Sequence, residues 1–406
     1  MTDCLICGSA AEPILSFGRM PIANGFLTAD QVAQEYFFDL GVAFCPGCHM
    51  VQLAELVDRE KLFHANYAFF SSTSAGMKVH FKQFADEVAE RYLEGDDPFV
   101  VEIGSNDGIM LGHFARARMR HLGIEPSANV AEVARQQGIE TTCRFFDEDL
   151  ARQVVAEHGQ ADALLGANVF CHIPYLHSVA EGAKLLLKPR GVLIFEDPYL
   201  GDIMEKTSYD QIYDEHAFYF SVDSVSYLFA QHGLEVVDVE PQDVHGGSMR
   251  YVVCHKGARP CAERVATQCA KERALGLHRR ESYERLRHDI QRSRDELVSL
   301  LHDVKRRGHR IVGYGATSKS TTVINYCGIT SELLEYISDT TPTKQGKLSP
   351  GAHIPIRAYE DFRRHYPDYA LLFAWNHQAE ILPKERAFAL AGGKWISYVP
   401  TVRVLA

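Results

Sequence analysis

The chain has no apolar stretch of 18 or more residues, and Met1-Thr2-Asp3-Cys4 lacks the charged and apolar regions of a signal peptide. A membrane partner is therefore not expected, and the cytoplasm is the expected compartment. Positive charge is scarce too: 42 Lys and Arg stand against 53 Asp and Glu, for a net charge of −11. Nucleic acid needs a basic face that neutralises phosphates, so it is not an expected partner. The one basic cluster, Lys305-Arg306-Arg307-Gly308-His309-Arg310, reads as the cationic end of a helix.

The chain does have cysteine, but not spaced as a disulfide framework. Four of the ten form two C-x-x-C pairs, Cys4/Cys7 and Cys45/Cys48. Paired knuckles of this kind offer four thiolates to a tetrahedral structural zinc, and the other six cysteines read as buried thiols. His49 follows Cys48 and could compete as a ligand, but four cysteines already saturate the site. Redox-active cysteines are the alternative. The 37 residues between the pairs exceed a minimal ribbon, which implies a small subdomain.

At 406 residues the chain is too long for one compact core. The expected division is a zinc-binding module over 1–70, an α/β domain over 71–257 and a second α/β domain over 258–406. In the middle domain a helix is expected over 71–94, with Met77, Phe81, Phe84, Val88 and Tyr92 near one face. Strands at Asp97–Ile103, His121–Glu125, Asp162–Val169 and Gly191–Phe195 then alternate with helices at Ile109–Arg118, Ala128–Gln137 and Val179–Leu187. Such alternation implies a largely parallel sheet, which Glu235–Val239 and Met249–Val253 would close. A boundary is expected near Gly257–Pro260, and a packing helix over Ser282–Arg307 carries Leu286, Ile290, Leu297, Leu301 and Val304 as its apolar stripe.

The most informative segment is Val100-Val101-Glu102-Ile103-Gly104-Ser105-Asn106-Asp107-Gly108. An apolar strand breaks into a glycine-rich turn, and Gly123-Ile124-Glu125-Pro126 supplies a second acid. In an open α/β sheet this arrangement forms a nucleoside crevice in which an acid accepts hydrogen bonds from ribose hydroxyls. Dinucleotide sites usually carry G-x-G-x-x-G with a pyrophosphate at the helix N-terminus. Here Asp107 stands in the turn, which disfavours a diphosphate and suits S-adenosylmethionine (SAM), whose ammonium and sulfonium are positive. NAD is the alternative ligand.

A second strand, glycine turn and helix start appears at Arg310-Ile311-Val312-Gly313-Tyr314-Gly315-Ala316-Thr317-Ser318-Lys319. It lacks Walker spacing but is built to receive an anion, most simply a phosphate or diphosphate. Two nucleoside-type sites suggest a donor bound in the middle domain and a nucleotide-bearing acceptor at the end.

Between them, Tyr209-Asp210-Gln211-Ile212-Tyr213-Asp214-Glu215-His216-Ala217-Phe218-Tyr219-Phe220 concentrates titratable groups. A histidine beside a carboxylate and a phenol offers a base, a tuning partner and a donor to an oxyanion. In a regular strand Tyr213 and Glu215 would share one face and His216 the other, so convergence requires an irregular backbone. His172 follows the Asp162–Val169 strand, and Tyr67 lies in a linker that could fold over the same mouth.

These motifs together resemble the sugar C-methyltransferases that alkylate nucleotide-linked deoxy-ketosugars. The resemblance covers essentially the whole chain: the C-x-x-C pairs, the Glu102–Gly108 turn, Tyr213-Asp214-Glu215-His216 and His245-Gly246-Gly247-Ser248-Met249-Arg250. It continues through Gly313–Lys319 and Pro342-Thr343-Lys344-Gln345-Gly346 with Pro350-Gly351. It implies a central Rossmann-like SAM-dependent methyltransferase domain between a zinc module and a C-terminal Rossmann-like domain. The implied reaction methylates C-3 of a 4-keto-6-deoxysugar carried on dTDP, or on GDP or CDP, through an enolate. His216 would be the base, with Tyr213 and Glu215 adjacent and Tyr67 and His172 matching further active-site positions. The cofactor set is Glu102, Gly104, Asn106, Asp107, Gly108, Glu125, Pro126, Phe146 and Asn168; the substrate set is Arg250, Ser318, Lys319, Trp375 and Asn376. One position departs from the family's frequent Tyr-His-Glu-His, since Asp214 stands second. The assembly expected is a monomer or small homo-oligomer. A nicotinamide-dependent nucleotide-sugar dehydrogenase or epimerase, and a non-catalytic zinc-containing binding protein, are the alternatives.

Overall fold

The structure, a computed structural model, describes residues 2–58, Leu62 and 75–405. Its first sheet is an antiparallel meander of β1 (Thr2–Asp3), β2 (Ala10–Pro21), β3 (Phe37–Phe44) and β4 (Val51–Leu53). Register shifts at Pro13/Leu15 and Ser16/Gly18 bend the long β2 against β3. The C-x-x-C pairs lie at one end of this hairpin, and residues 22–36 lie at its other end.

The central sheet contains β5 (Phe99–Ile103), β6 (Arg120–Ile124), β7 (Thr141–Thr142), β8 (Ala161–Ala167) and β9 (Leu187–Pro198) as parallel strands. β10 (Phe218–Tyr219) leaves this domain and pairs with β4 of the first sheet, placing Phe218 opposite Gln52 and Tyr219 opposite Val51. β11 (Leu234–Gln242) and β12 (Ser248–His255) complete the central order β11-β12-β9-β8-β5-β6-β7, with β12 antiparallel to both neighbours. All five residues of β5 are buried because helices cover both faces of a parallel sheet. Strand order reverses between β5 and β8, which opens a crevice at their carboxyl ends.

The third sheet, β15-β14-β13-β16-β17-β18, repeats that logic. β13 (Ile311–Tyr314), β14 (Ile337–Asp339), β15 (Ile356–Ala358), β16 (Tyr369–Leu372) and β17 (Lys394–Ser397) are parallel, and β18 (Arg403–Leu405) closes the edge antiparallel. Its reversal lies between β13 and β16. The helix expected over Ser282–Arg307 spans Arg280–Arg306 and buries the whole expected stripe. The helix expected over 71–94 is described from Ala75 to Tyr92.

Seven of the described helices have no counterpart in the sequence reading: Glu148–His158, Leu200–Lys206, Val222–Ala230, Glu263–Leu275, Tyr359–Arg364, Gln378–Lys384 and Arg386–Leu390. Two of them carry cap signals. The Asp147 carboxylate accepts from the Leu150 amide at 2.8 Å, and Ser221 forms a capping box with Ser224. The first module also lacks a private core: Phe17, Met20, Phe26 and Leu40 share one hydrophobic cluster with Tyr209, Ile212, Val323 and Ile324. The three sheets are thus packed into one body around the segment that follows Tyr209.

Candidate active site

The four expected zinc ligands converge. The Sγ atoms of Cys4, Cys7, Cys45 and Cys48 lie within 4.8 Å of one another, at 3.4 Å for Cys4–Cys48 and 3.3 Å for Cys7–Cys45. Thiolates about 2.3 Å from a tetrahedral zinc stand ~3.8 Å apart, so the donor set fits a closed structural ion. His49 is not part of it. Its Nδ1 lies 2.5 Å from Asp223 Oδ2.

A cavity of about 290 Å³ joins the carboxyl ends of β5 and β8 to the start of the helix Ser318–Tyr326. The two turns singled out in the sequence therefore open into one space. Gly104, Asn106, Glu125, Pro126, Phe146 and Asn168 line its first half. Gly104 is needed there: its φ is +64°, and a Cβ would stand 2.6 Å from Val169 Cγ2. The Glu125 carboxylate accepts from the amides of Asn106 (3.0 Å) and Ser127 (2.7 Å), which fixes it while leaving lone pairs for ribose hydroxyls. Asn168 Oδ1 is buried with no hydrogen-bond partner among the described residues, which leaves it an acceptor for a bound ammonium. These features fit the nucleoside and amino groups of SAM.

Three expected cofactor residues lie beneath this wall instead. Glu102, Asp107 and Gly108 are not among the cavity-lining residues. Burial, reinforced by Asp107 and Glu125, pushes the Glu102 carboxyl well above the usual range. Of these three acids Glu125 is the one on the cavity wall, and the charge of Asp107 helps to raise its carboxyl above the usual range, after burial.

The second half of the cavity is cationic. Ser318, Lys319 and Lys344 line it with His245, Asn376 and His377. Thr317 caps the helix by accepting from the Ser320 amide at 3.1 Å. Lys319 Nζ donates to the His245 carbonyl (2.8 Å) and lies 5.4 Å from the Trp375 ring centroid. Burial lowers Lys319 to about 8, opposed by the charge of Asp210. Trp375 itself faces an adjoining open cleft with Gly246 and Gly247, and its indole donates to Asp210 Oδ2 at 2.6 Å. Arg250 is a correction. Its guanidinium bonds Glu196 and Glu87 and covers the Phe84 ring, away from the cavity, because a buried cation needs paired anions.

At the junction stand Tyr213, Glu215 and His172, all on the wall. The backbone from Ile212 to Ala217 is no strand: His216 N bonds Tyr213 O (3.1 Å) and Ala217 N bonds Glu215 O (3.2 Å). That irregular turn supplies the convergence a regular strand would forbid. His216 sits one layer back, its Nε2 2.8 Å from Tyr213 Oη and its Nδ1 2.8 Å from the Gln211 carbonyl. A carbonyl can only accept, so Nδ1 carries the proton and the Nε2 lone pair faces the phenol. Burial, with His172, Lys319 and His245 nearby, holds His216 well below its ordinary value; burial takes His172 to about 4. Both imidazoles are neutral at pH 7. Burial and the adjacent Asp214 push Glu215 up, so it tends to keep its proton. Asp214, the departure from the family pattern, turns from the cavity and accepts from the Ala23 amide at 2.9 Å. Tyr67 lies outside the described residues.

The sequence reading did not mark Asn24, Arg144, His245, Lys344 or His377 as site residues, yet all line the cavity. Lys344 and His245 stand inside motifs it quoted. For Asn24 the only signal is its place at the tip of a hairpin, which no local pattern ties to a residue almost two hundred positions away.

Family models match each of the three regions of the chain. A zinc binding domain model matches residues 4–63, a methyltransferase domain model 77–239 and a C-methyltransferase C-terminal domain model 243–400. The C-methyltransferase NovU of Streptomyces niveus is 35% identical, over all of this chain and 97% of its own. Among solved structures, a SAM-dependent methyltransferase from Anabaena variabilis is 17% identical over 44% of this chain and 86% of its own, with a TM-score of 0.36. The CcbJ methyltransferase from Streptomyces caelestis is 13% identical over 44% of this chain and 90% of its own, with a TM-score of 0.34.

Proposed function

The chain belongs to the SAM-dependent C-methyltransferase family that includes NovU, and from that premise we propose that it methylates C-3 of a nucleotide-linked 4-keto-6-deoxysugar through an enolate. Family membership replaces the dehydrogenase and binding-protein alternatives. The observation that carries the proposal is the Tyr213–His216 pair at the junction of an acidic half-cavity and a cationic one.

SAM would supply an electrophilic methyl group, with Glu125 on its ribose and Asn168 on its amino group. Ser318, Lys319 and Asn376 would hold the acceptor's diphosphate, where a helix N-terminus and a lysine favour anions. The proton next to the ketone leaves as H⁺ to His216 Nε2, passed through the Tyr213 hydroxyl. The C–H electron pair becomes the enolate. A neutral, desolvated imidazole gains basicity as that negative charge forms beside it, because the imidazolium then has a counter-ion. Glu215, kept protonated, can donate to the ketone oxygen as its charge grows. The enolate carbon attacks the sulfonium methyl, and the electrons of the broken C–S bond remain on S-adenosylhomocysteine. The imidazolium proton then leaves to solvent.

Incubating the zinc-loaded protein with SAM and a panel of dTDP-, GDP- and CDP-linked ketosugars tests this reading. Mass spectrometry should find a product one methylene heavier from the 4-keto-6-deoxy members. Gain of a methyl on oxygen, or on none of the panel, would sink it.

A further inference from the structure

The N-terminal module contains zinc ligands at one end of its hairpin, and at the other it reaches the reaction chamber. Residues 22–26 run between the Tyr213–His216 turn and the helix Ser318–Tyr326. Asn24 is on the cavity wall, its Nδ2 donating to Glu215 Oε1 at 2.6 Å and its Oδ1 accepting from Ser318 Oγ at 3.0 Å. The neighbouring backbone is pinned as well: the Ala23 amide donates to Asp214, and Thr321 Oγ1 donates to the Ala23 carbonyl at 2.9 Å. A structural spacer would need only the backbone bonds. The side-chain amide instead spans a residue of the middle domain and one of the C-terminal domain, both facing the same cavity.

We infer that Asn24 is a positioning residue through which the zinc module sets the orientation and protonation of Glu215 in the methyl-transfer site. The Ser318 hydroxyl donates to the amide oxygen, and the amide nitrogen faces Glu215. With Nδ2 donating to Oε1, a proton on Glu215 is directed to Oε2. The other groups acting on Glu215 are the Asp214 carboxylate, the Lys344 ammonium and the Cys171 thiol. Asn24 favours the ionised form of Glu215, and Asp214 opposes it. The role of Glu215 in methyl transfer rests on the proposal above; the control of Glu215 by Asn24 does not.

The test is carboxyl infrared titration of the full-length zinc protein, with the Glu215 band identified by its loss in Glu215→Gln. In Asn24→Ala, loss of a hydrogen bond to the carboxylate should move the Glu215 midpoint up by about one pH unit. In Asn24→Leu, which fills similar space without either side-chain hydrogen bond, the midpoint should move up as well. If Asn24→Ala fails to fold, Asn24→Leu alone decides. An unmoved midpoint in a folded variant overturns the inference. Kinetics separate the two readings. A protonated donor is lost as pH rises through the Glu215 midpoint, so if the alkaline fall in kcat moves up with the midpoint in Asn24→Ala, both stand. If the midpoint moves while the alkaline limb of kcat stays where it is in wild type, the positioning stands and the donor role of Glu215 falls.

Discussion

The turn at Gly104–Gly108 and the turn at Gly315–Lys319 are the same device with opposite charge. Each follows the strand at which its parallel sheet reverses order, each bends through a positive-φ glycine, and each faces one shared cavity. Beneath and beside the first lie Glu102, Asp107 and Glu125, with Arg144 farther along the same wall; around the second stand Lys319 and Lys344, with Asp339 accepting from the Ala316 amide behind it. Topology therefore creates two places for a ligand, and side-chain charge decides the sign of what each accepts. A cationic sulfonium donor and an anionic nucleotide are brought edge to edge in this way, with Tyr213, Glu215 and His216 at the seam.

The contrast can be broken at several points, and the largest effect lies at the seam. His216→Asn leaves both turns intact, so S-adenosylhomocysteine binding by calorimetry should stay within twofold of wild type. Turnover should fall by roughly 10²–10⁴-fold, the range of a positioned base; full turnover would remove His216 from that role. Glu125→Ala strikes the acidic turn alone. It should weaken S-adenosylhomocysteine by roughly 100-fold through two lost charge-assisted hydrogen bonds, with little change in KM for the sugar nucleotide.

Lys319→Met strikes the cationic turn, and KM for the sugar nucleotide should rise roughly tenfold while S-adenosylhomocysteine binds normally. Its stability should move the other way. Lys319 titrates at about 8 when folded against 10.5 when free, so the native state holds that proton less tightly than the unfolded chain. The cost is full below pH 8 and fades as pH rises toward 10.5. The methionine variant should thus be more stable at pH 7 by on the order of 3 kcal/mol, and the gain should shrink in urea melts toward pH 10. Asp107→Asn should do least, changing S-adenosylhomocysteine affinity by no more than about threefold, because the carboxylate is outside the cavity wall. A tenfold loss there would return Asp107 to the direct role the sequence suggested.

Much of this was legible in the chain itself. Strand–turn–helix units announce themselves by apolar runs ending in glycine, so most of the central sheet, the first strand of the C-terminal sheet, both turns and the C-x-x-C pairs could be placed by pattern. Gly104, Asn106, Ser318 and Lys319 sit in those turns, and Glu125, Pro126, Asn168 and Asn376 follow the carboxyl ends of other strands of the same two sheets. What failed was orientation. Asp107 and Glu125 look alike as letters, but only one reaches the surface of the crevice. Arg250 looks like a phosphate ligand until Glu196 and Glu87 appear beside it in space. Asn24 could not be read at all, since its partners are 191 and 294 positions distant.

Those distances also set a timetable for synthesis. A ribosome adding about 5–20 residues per second needs roughly 15–60 s to make the chain between Asn24 and Ser318. β4 lacks β10 until residue 219 is made, and the apolar faces of Phe17, Met20 and Phe26 lack Val323 and Ile324 to the end of that interval. Zinc held by the four cysteines would add to the β2–β3 ladder in keeping the nascent hairpin in register before the rest arrives. Metal supply during translation, more than in the finished enzyme, would then govern how much active protein a cell obtains.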